Sequence, residues 1–242
     1  MNSDDQPDDP QERNLYHKER KRDFDPAFGD SENIELITTH IAKYIAEPSY
    51  VFHEFVSDLI HLDVHVIVPT PERNYFTLIT TGMSDRPMTP PEEFSEYAYA
   101  ELMMCLPPDW PLNQEGSDDM EVFWPVELLK FLARFPHEYE TWISESHTVP
   151  NGESFDHYAS NTDFCAVTLA TPKTTPTEFA QLRVTENKVI HFLTVIPLHL
   201  AEIKLALKQG SEPLFELLAA NGVTEVLDIN RKSTVKKRFG LF

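Results

Sequence analysis

The chain predicts an α/β fold of the α+β type, with one mixed β-sheet and helices packed on its faces. Three observations carry this. Runs with apolar residues at every second position come mostly in pairs, as strands do. Between them lie runs whose apolar residues recur at helical spacing. A length of 242 residues, 41% of them hydrophobic, can bury the core that such layers need.

The elements follow in chain order. Residues 1–33 are polar and charged and read as a flexible tail; segment 12–25 within it is a candidate short helix or docking peptide. Ser31 is placed to cap a helix whose face is Ile34, Ile37, Ile41 and Tyr44, with Pro48 stopping it. Residues 50–58 stay open between helix and extended chain. In the next run Leu62, Val64, Val66 and Val68 point one way, and His61, Asp63, His65 and Ile67 the other. Pro69 and Pro71 turn the chain into a second strand over 75–81. Thr89 to Glu92 form a T-x-x-E start signal, which predicts a helix to Leu106 that buries Phe94, Ala98, Leu102 and Cys105. A further helix over 125–135, stopped by Pro136, buries Leu128, Phe131, Leu132 and Phe135. Residues 141–151 predict a short strand and a turn. Strands follow over 164–170, 180–185 and 189–196, the last two joined by a tight turn at Glu186-Asn187-Lys188. A helix over 199–209 ends at Gly210, and Ser211 caps another that ends at Asn221-Gly222. A last strand over 225–229 precedes a basic tail, 231–242.

Charge separates function classes. Asp and Glu number 40 against 20 Lys and Arg, a net of −20. The tail 231–242 holds five bases and no acid, so the body 34–230 is acidic by itself. Such a field opposes binding of nucleic acid or anionic lipid and speeds encounter with a basic protein, but charge alone fits solubility better than a dedicated basic partner. No run approaches the length of a membrane span, and the acidic start is unlike a secretory signal. Two lone cysteines, Cys105 and Cys165, offer neither a disulfide framework nor a metal spacing, which fits a reducing cytoplasm.

Motifs for catalysis fail in particular places. No phosphate-binding glycine pattern occurs. Gly82-Met83-Ser84-Asp85-Arg86 starts like a nucleophile elbow, but Arg86 stands where the second glycine belongs. His53-Glu54 starts like a zincin helix, but Ser57 stands where its second histidine belongs. His61, Asp63 and His65, within reach of His53, are the best metal candidate, against a plain polar strand face. Glu72 and Arg73 fit an ion pair or a cap for loop carbonyls better than a base and an anion clamp, and Asp85 with Arg86 fits a loop-ordering pair. Trp110, Trp124 and Trp142, and the methionines 83, 88, 103 and 104, fit core packing, with a recognition surface as the alternative. The sequence thus implies no catalytic residue and no cofactor.

Several of these segments, in this order, resemble the bacterial branch of the suppressor of fused-like family. They are Phe52-His53-Glu54, His61-Leu62-Asp63, Pro69 to Arg73, Thr81 to Ser84, Trp124 to Leu129 with Leu132-Ala133-Arg134, His147-Thr148, Phe192 to Glu202, and Asp228 to Arg231. The resemblance spans roughly 34–232. Ser146 departs from it, standing where the family has glycine. The resemblance implies the fold of the family's N-terminal domain, without the second domain of animal members, which trap an extended peptide of a transcription factor by strand addition. It also implies a protein partner. Bacterial members are associated with immunity to polymorphic toxins, so a basic toxin domain is the expected partner and an immunity protein the expected role. A general adaptor for an extended peptide and a metal-dependent hydrolase are the alternatives. Glu72, Arg73, Ser84, Asp85 and His147 mark the expected binding surface.

Overall fold

The computed structural model describes residues 23–116 and 118–236. Most of segment 12–25 and the end of the basic tail therefore lie outside the described residues. The architecture is a mixed sheet of eight strands between helical layers. Its strands are β1 (Tyr50–Phe52), β2 (Asp63–Ile67), β3 (Phe76–Thr81), β4 (Tyr99–Leu106), β5 (Thr148–Pro150), β6 (Phe164–Ala170), β7 (Gln181–Arg183) and β8 (Val189–His199). Their order is β1-β2-β3-β4-β8-β6-β5, with β7 paired to β8. Only β4 and β8 run parallel; the other pairs are antiparallel.

Helices α1 (Ser31–Tyr44) and α2 (Met120–Glu138) cover opposite faces of the sheet. Leu62, Val64, Val66, Leu78 and Met104 meet α2 through Trp124, Leu128 and Leu132. Ile67, Ile79, Met103 and Cys105 meet Ile37 and Ile41 of α1. Each such buried aliphatic side chain contributes roughly 1.5–3 kcal/mol. Helices α3 (Leu200–Gln209) and α4 (Ser211–Ala220) form a hairpin on Ala166 and Leu198. Pro197 has no N–H to give and sits in β8 beyond Thr194, where the pairing with β4 has ended.

The structure corrects several expectations. The predicted helix from Thr89 to Leu106 is a 3-10 turn, Glu92–Tyr97, followed by strand β4. Ala, Glu, Leu and Met favour helix intrinsically, but burial between β3 and β8 overrides that preference. Helix α1 is capped by Asp30, whose carboxylate accepts from the N–H groups of Glu32 and Asn33, and not by Ser31. Helix α2 starts at Met120 and runs past Pro136 to Glu138, with Phe131 facing out at 44% exposure. Ser211 is the first residue of α4, after Gly210 at φ 88°. The predicted strand over 225–229 is one parallel bridge, Val226 to Cys105. Trp110 and Trp124 and all four of the methionines named above are core.

Candidate functional site

The turn after β3 holds the densest polar cluster. Gly82 sits at φ 103°, and a β-carbon there would lie 1.8 Å from the His61 carbonyl oxygen, so only glycine fits. The turn then bends back over β4 and aims three donors at one carboxylate, which takes a fourth from Thr80 of β3. Glu101 Oε1 accepts from Gly82 N at 3.1 Å, Ser84 N at 2.9 Å and Ser84 Oγ at 2.6 Å, and Oε2 accepts from Thr80 Oγ1 at 2.6 Å. Glu101 is fully buried, and among the described residues no cation pairs with it. Burial pushes its carboxyl up to about 7, against the pull of the Ser84 and Thr80 hydroxyls.

The network continues into α1. Asn33 Nδ2 donates to Ser84 Oγ at 3.1 Å and to Asp85 Oδ1 at 2.7 Å, and Lys188 Nζ donates to Asn33 Oδ1 at 3.0 Å. Asp85 also accepts from Asp30 N at 3.0 Å, and burial raises its carboxyl above the ordinary range. The Ser84–Glu101 contact has the length of a nucleophile–base pair. Both side chains are 0% exposed, so their hydrogen bonds lock the turn to the sheet and present nothing to a substrate.

The five predicted surface residues do not converge. Ser84 and Asp85 share this network, with Ser84 wholly inside. Glu72 and Arg73 lie at the opposite end of β3, in the turn from β2. There Arg73 donates to Val68 O at 2.6 Å, Tyr75 O at 2.8 Å and Thr77 Oγ1 at 3.1 Å, while Glu72 is exposed. Arg73 is thus the carbonyl cap. His147 precedes edge strand β5, its ring 4.6 Å from that of Trp142, and burial lowers its pKa. The neighbouring Ser146 holds φ 70°, a left-handed conformation in which glycine is unstrained.

The metal candidate is not assembled either. Asp63 bonds His53 Nδ1 at 3.1 Å and lies 3.3 Å from His61 Nε2, but His65 turns its Nε2 to Thr81 Oγ1 at 3.1 Å. Burial pushes His65 down to about 4. Among the described residues no group of three or more His, Cys, Asp or Glu is arranged to hold a metal ion.

Two features escaped the sequence reading. The first is Glu101, hidden in a segment with helical propensity. The second is Glu202 in α3, also fully buried. Arg231 grips it with a two-pronged contact at 2.7 and 2.8 Å, and Thr234 and the His199 N–H add donors. Arg231 and Thr234, assigned by sequence to the basic tail, are thus joined to α3. The D-x-x-R segment ending at Arg231 was the available signal, but not its partner.

Outside these networks, the exposed face of α2 carries an open groove of about 370 Å³. Phe131, Phe135 and Tyr139 line it at one-turn intervals, with ring centroids 6.1 and 4.9 Å apart, between Glu127 and Glu138. Among the described residues no helix is long and apolar enough to cross a membrane.

Comparison with known proteins agrees with this geometry. The sequence profile of the family described as Suppressor of fused protein (SUFU) matches residues 58–232. A crystal structure of a SUFU homolog from Neisseria gonorrhoeae is similar at TM-score 0.60 and 18% identity, covering 86% of this chain and 100% of that one. A chain in the Sufu–Fu complex is similar at TM-score 0.58 and 13% identity, over 84% of this chain and 92% of that one. Drosophila Suppressor of Fused is similar at TM-score 0.55 and 14% identity, over 83% of this chain and 50% of its own length. No curated protein sequence matches significantly.

Proposed function

This chain belongs to the suppressor of fused family, and we propose that it is a non-enzymatic protein-binding domain that holds a partner protein in the cytoplasm. One observation supports this best. The polar side chains that sequence offers as chemistry, Ser84, Arg73 and the His61-Asp63-His65 set, are used to hold turns and strands together. What remains for function is an acidic exterior and an open groove in which Phe131, Phe135 and Tyr139 lie among Glu54, Glu127, Lys130, Arg134 and Glu138, and a net charge of −20 favours a basic partner.

The partner that fits is a basic toxin domain such as a nuclease, whose own substrate is anionic. The chain then acts as an immunity protein: electrostatic attraction speeds capture and docking neutralises the toxin. The test is to read the open reading frames adjacent to this one and to co-express the chain with any toxin-like domain that they encode. The expected result is restored growth and an isolable complex, whose association rate falls several-fold between about 50 and about 500 mM salt. Persistent toxicity with no complex would reject the immunity role.

A second reading, an adaptor for an extended peptide, is favoured by the sheet's ends. Edge strand β1 pairs only with β2, and edge strand β5 only with β6, among the described strands. A peptide screen that returned strand-forming ligands, with no toxin encoded nearby, would favour it.

A further inference from the structure

The chain holds two Asn-Gly pairs, Asn151-Gly152 and Asn221-Gly222. In such a pair the glycine nitrogen can attack the asparagine side-chain carbonyl, because no β-carbon crowds the five-membered ring that forms. Exposure alone would single out the second pair: Asn221 and Gly222 are both exposed, whereas Asn151 is half-buried. Hydrogen bonding reverses that order. Gly222 N donates to Ala219 O at 3.0 Å, and Asn221 N to Leu217 O and Leu218 O at 3.2 Å, so the attacking nitrogen is tied into the C-terminal cap of α4. Gly152 N has no hydrogen-bond partner among the described residues. Gly152 is exposed at φ 71°, and the nearest atom that a β-carbon there would meet, beyond its chain neighbours, is Asp156 Oδ2 at 3.9 Å. Both asparagine amides are held alike, Asn221 Nδ2 by Leu217 O and Asn151 Nδ2 by Asp156 O, each at 2.8 Å. The backbone nitrogen is therefore what separates the two pairs.

We propose that Asn151 is a site of spontaneous deamidation, and that its conversion releases the end of edge strand β5. Gly152 N gives its proton to solvent and attacks Asn151 Cγ. The N–Cγ bond forms, the Cγ–Nδ2 bond breaks, and ammonia leaves with a proton taken back from solvent. One water then opens the cyclic imide. Opening at the side-chain carbonyl leaves aspartate; opening at the main-chain carbonyl leaves isoaspartate, with one more carbon in the backbone. Either product undoes what Asn151 does in the fold. Its N–H continues the β5–β6 ladder to Cys165 O at 2.8 Å, its carbonyl accepts from Asp156 N at 3.0 Å, and its amide donates to Asp156 O. An aspartate turns an acceptor toward that carbonyl, and an isoaspartate shifts both main-chain bonds out of frame. The loop so closed, 151–156, includes Phe155, which holds φ 57° against the α3–α4 hairpin. Strand β5 pairs only with β6 among the described strands, so no second neighbour holds it in place. This inference goes beyond the protein-binding reading and does not depend on it.

The test ages the full chain in mildly alkaline buffer and reads both Asn-Gly peptides of one digest by mass spectrometry, with isoaspartyl methyltransferase labelling to separate the two products. The native chain is expected to convert Asn151 several-fold faster than Asn221, and the chain in urea to convert the two at similar rates. Similar rates in the native chain, faster conversion of Asn221, or an intact Asn151 while the urea sample converts overturns the site. So does a ratio in urea as large as the native one, because local sequence and not the fold would then set it. The consequence is read separately, by amide hydrogen exchange at Asn151 and Asp156 in the aged fraction and in Asn151→Asp. Faster exchange at both positions is expected. Unchanged protection in the converted chain overturns the release of β5, and the aged fraction decides this even where Asn151→Asp fails to fold.

Discussion

Glu101 and Glu202 are both completely buried carboxylates, and they titrate in opposite directions. Each collects four or more hydrogen bonds. Those to Glu101 come from neutral groups, two backbone N–H and two hydroxyls, and burial prevails, so the carboxyl rises to about 7. At Glu202 burial also works upward. The Arg231 guanidinium, with the Thr234 and His199 N–H groups, outweighs it and holds the carboxyl below the usual range. Neutral donors can position a buried carboxylate, but a counterion decides whether it stays charged. The first arrangement ties a turn to the sheet centre. The second ties the chain after α4 to the start of α3.

Removing the counterion is the strongest way to break this contrast. Arg231→Met leaves Glu202 buried beside no cation and also removes the donor to Pro197 O and the contact over the Phe164 ring, 4.8 Å away. The expected loss is about 3–5 kcal/mol in urea unfolding at neutral pH. Adding Glu202→Gln should recover part of it. A loss no larger than that of an exposed arginine would show that the buried pair is not what holds this segment.

The next effect is a pH dependence. A carboxyl raised from 4.5 to about 7 holds its proton more tightly when folded. Its contribution is whole below pH 4.5 and is lost as the pH rises through about 7, at most about 3 kcal/mol across that window. His65 and His137, pushed down to about 4 by burial, act oppositely: their contribution is whole above pH 6.5 and is lost as the pH falls toward 4. Glu202 joins them, losing its contribution as the pH falls below 4.5 through its lowered value. The carboxyl is therefore isolated in the difference between wild type and Glu101→Gln. The variant should gain on the wild type by about 2–3 kcal/mol as the pH is raised from 4.5 to 7.5. A constant difference across that range would show that Glu101 does not titrate there.

The same contrast shows what sequence can carry. The outer parts of the fold are legible, because their faces differ: α1 alternates buried Ile37 and Ile41 with exposed positions, and the β7–β8 turn is marked by polar residues. Strand β4 is not legible, because seven of its eight residues are buried on both faces and the period of two disappears. A T-P-P-E start signal just before it completes the helical pattern, although in the structure that signal serves only a 3-10 turn. Glu101 sits inside this misread element, so a buried carboxylate looks like a solvated helix residue. Arg231 is hidden differently. It and Glu202 are 29 residues apart, and nothing local to a run of bases shows that one of them is buried in an ion pair. The family resemblance supplied the order of the segments, but not which of their polar residues point inward. Sequence therefore offers Ser84 to a surface that its side chain, 0% exposed, does not reach.

The smallest effect sharpens the contrast most. Ser84→Ala and Thr234→Val each delete one hydroxyl donor to a buried carboxylate, at 2.6 Å and 2.9 Å respectively. At neutral pH each should lose about 1–2 kcal/mol, the worth of a hydrogen bond to a charged or partly charged group. They should differ in pH response. Without the Ser84 hydroxyl the ionised form of Glu101 loses one of its neutral stabilisers, and the carboxyl moves further above 7. The loss in Ser84→Ala should therefore shrink as the pH falls toward 5 and the carboxyl protonates. Glu202 keeps Arg231 in Thr234→Val and stays ionised through the same range, so its loss should be flat from pH 5 to 8. Equal pH profiles for the two variants would mean that the counterion is not what separates the two sites.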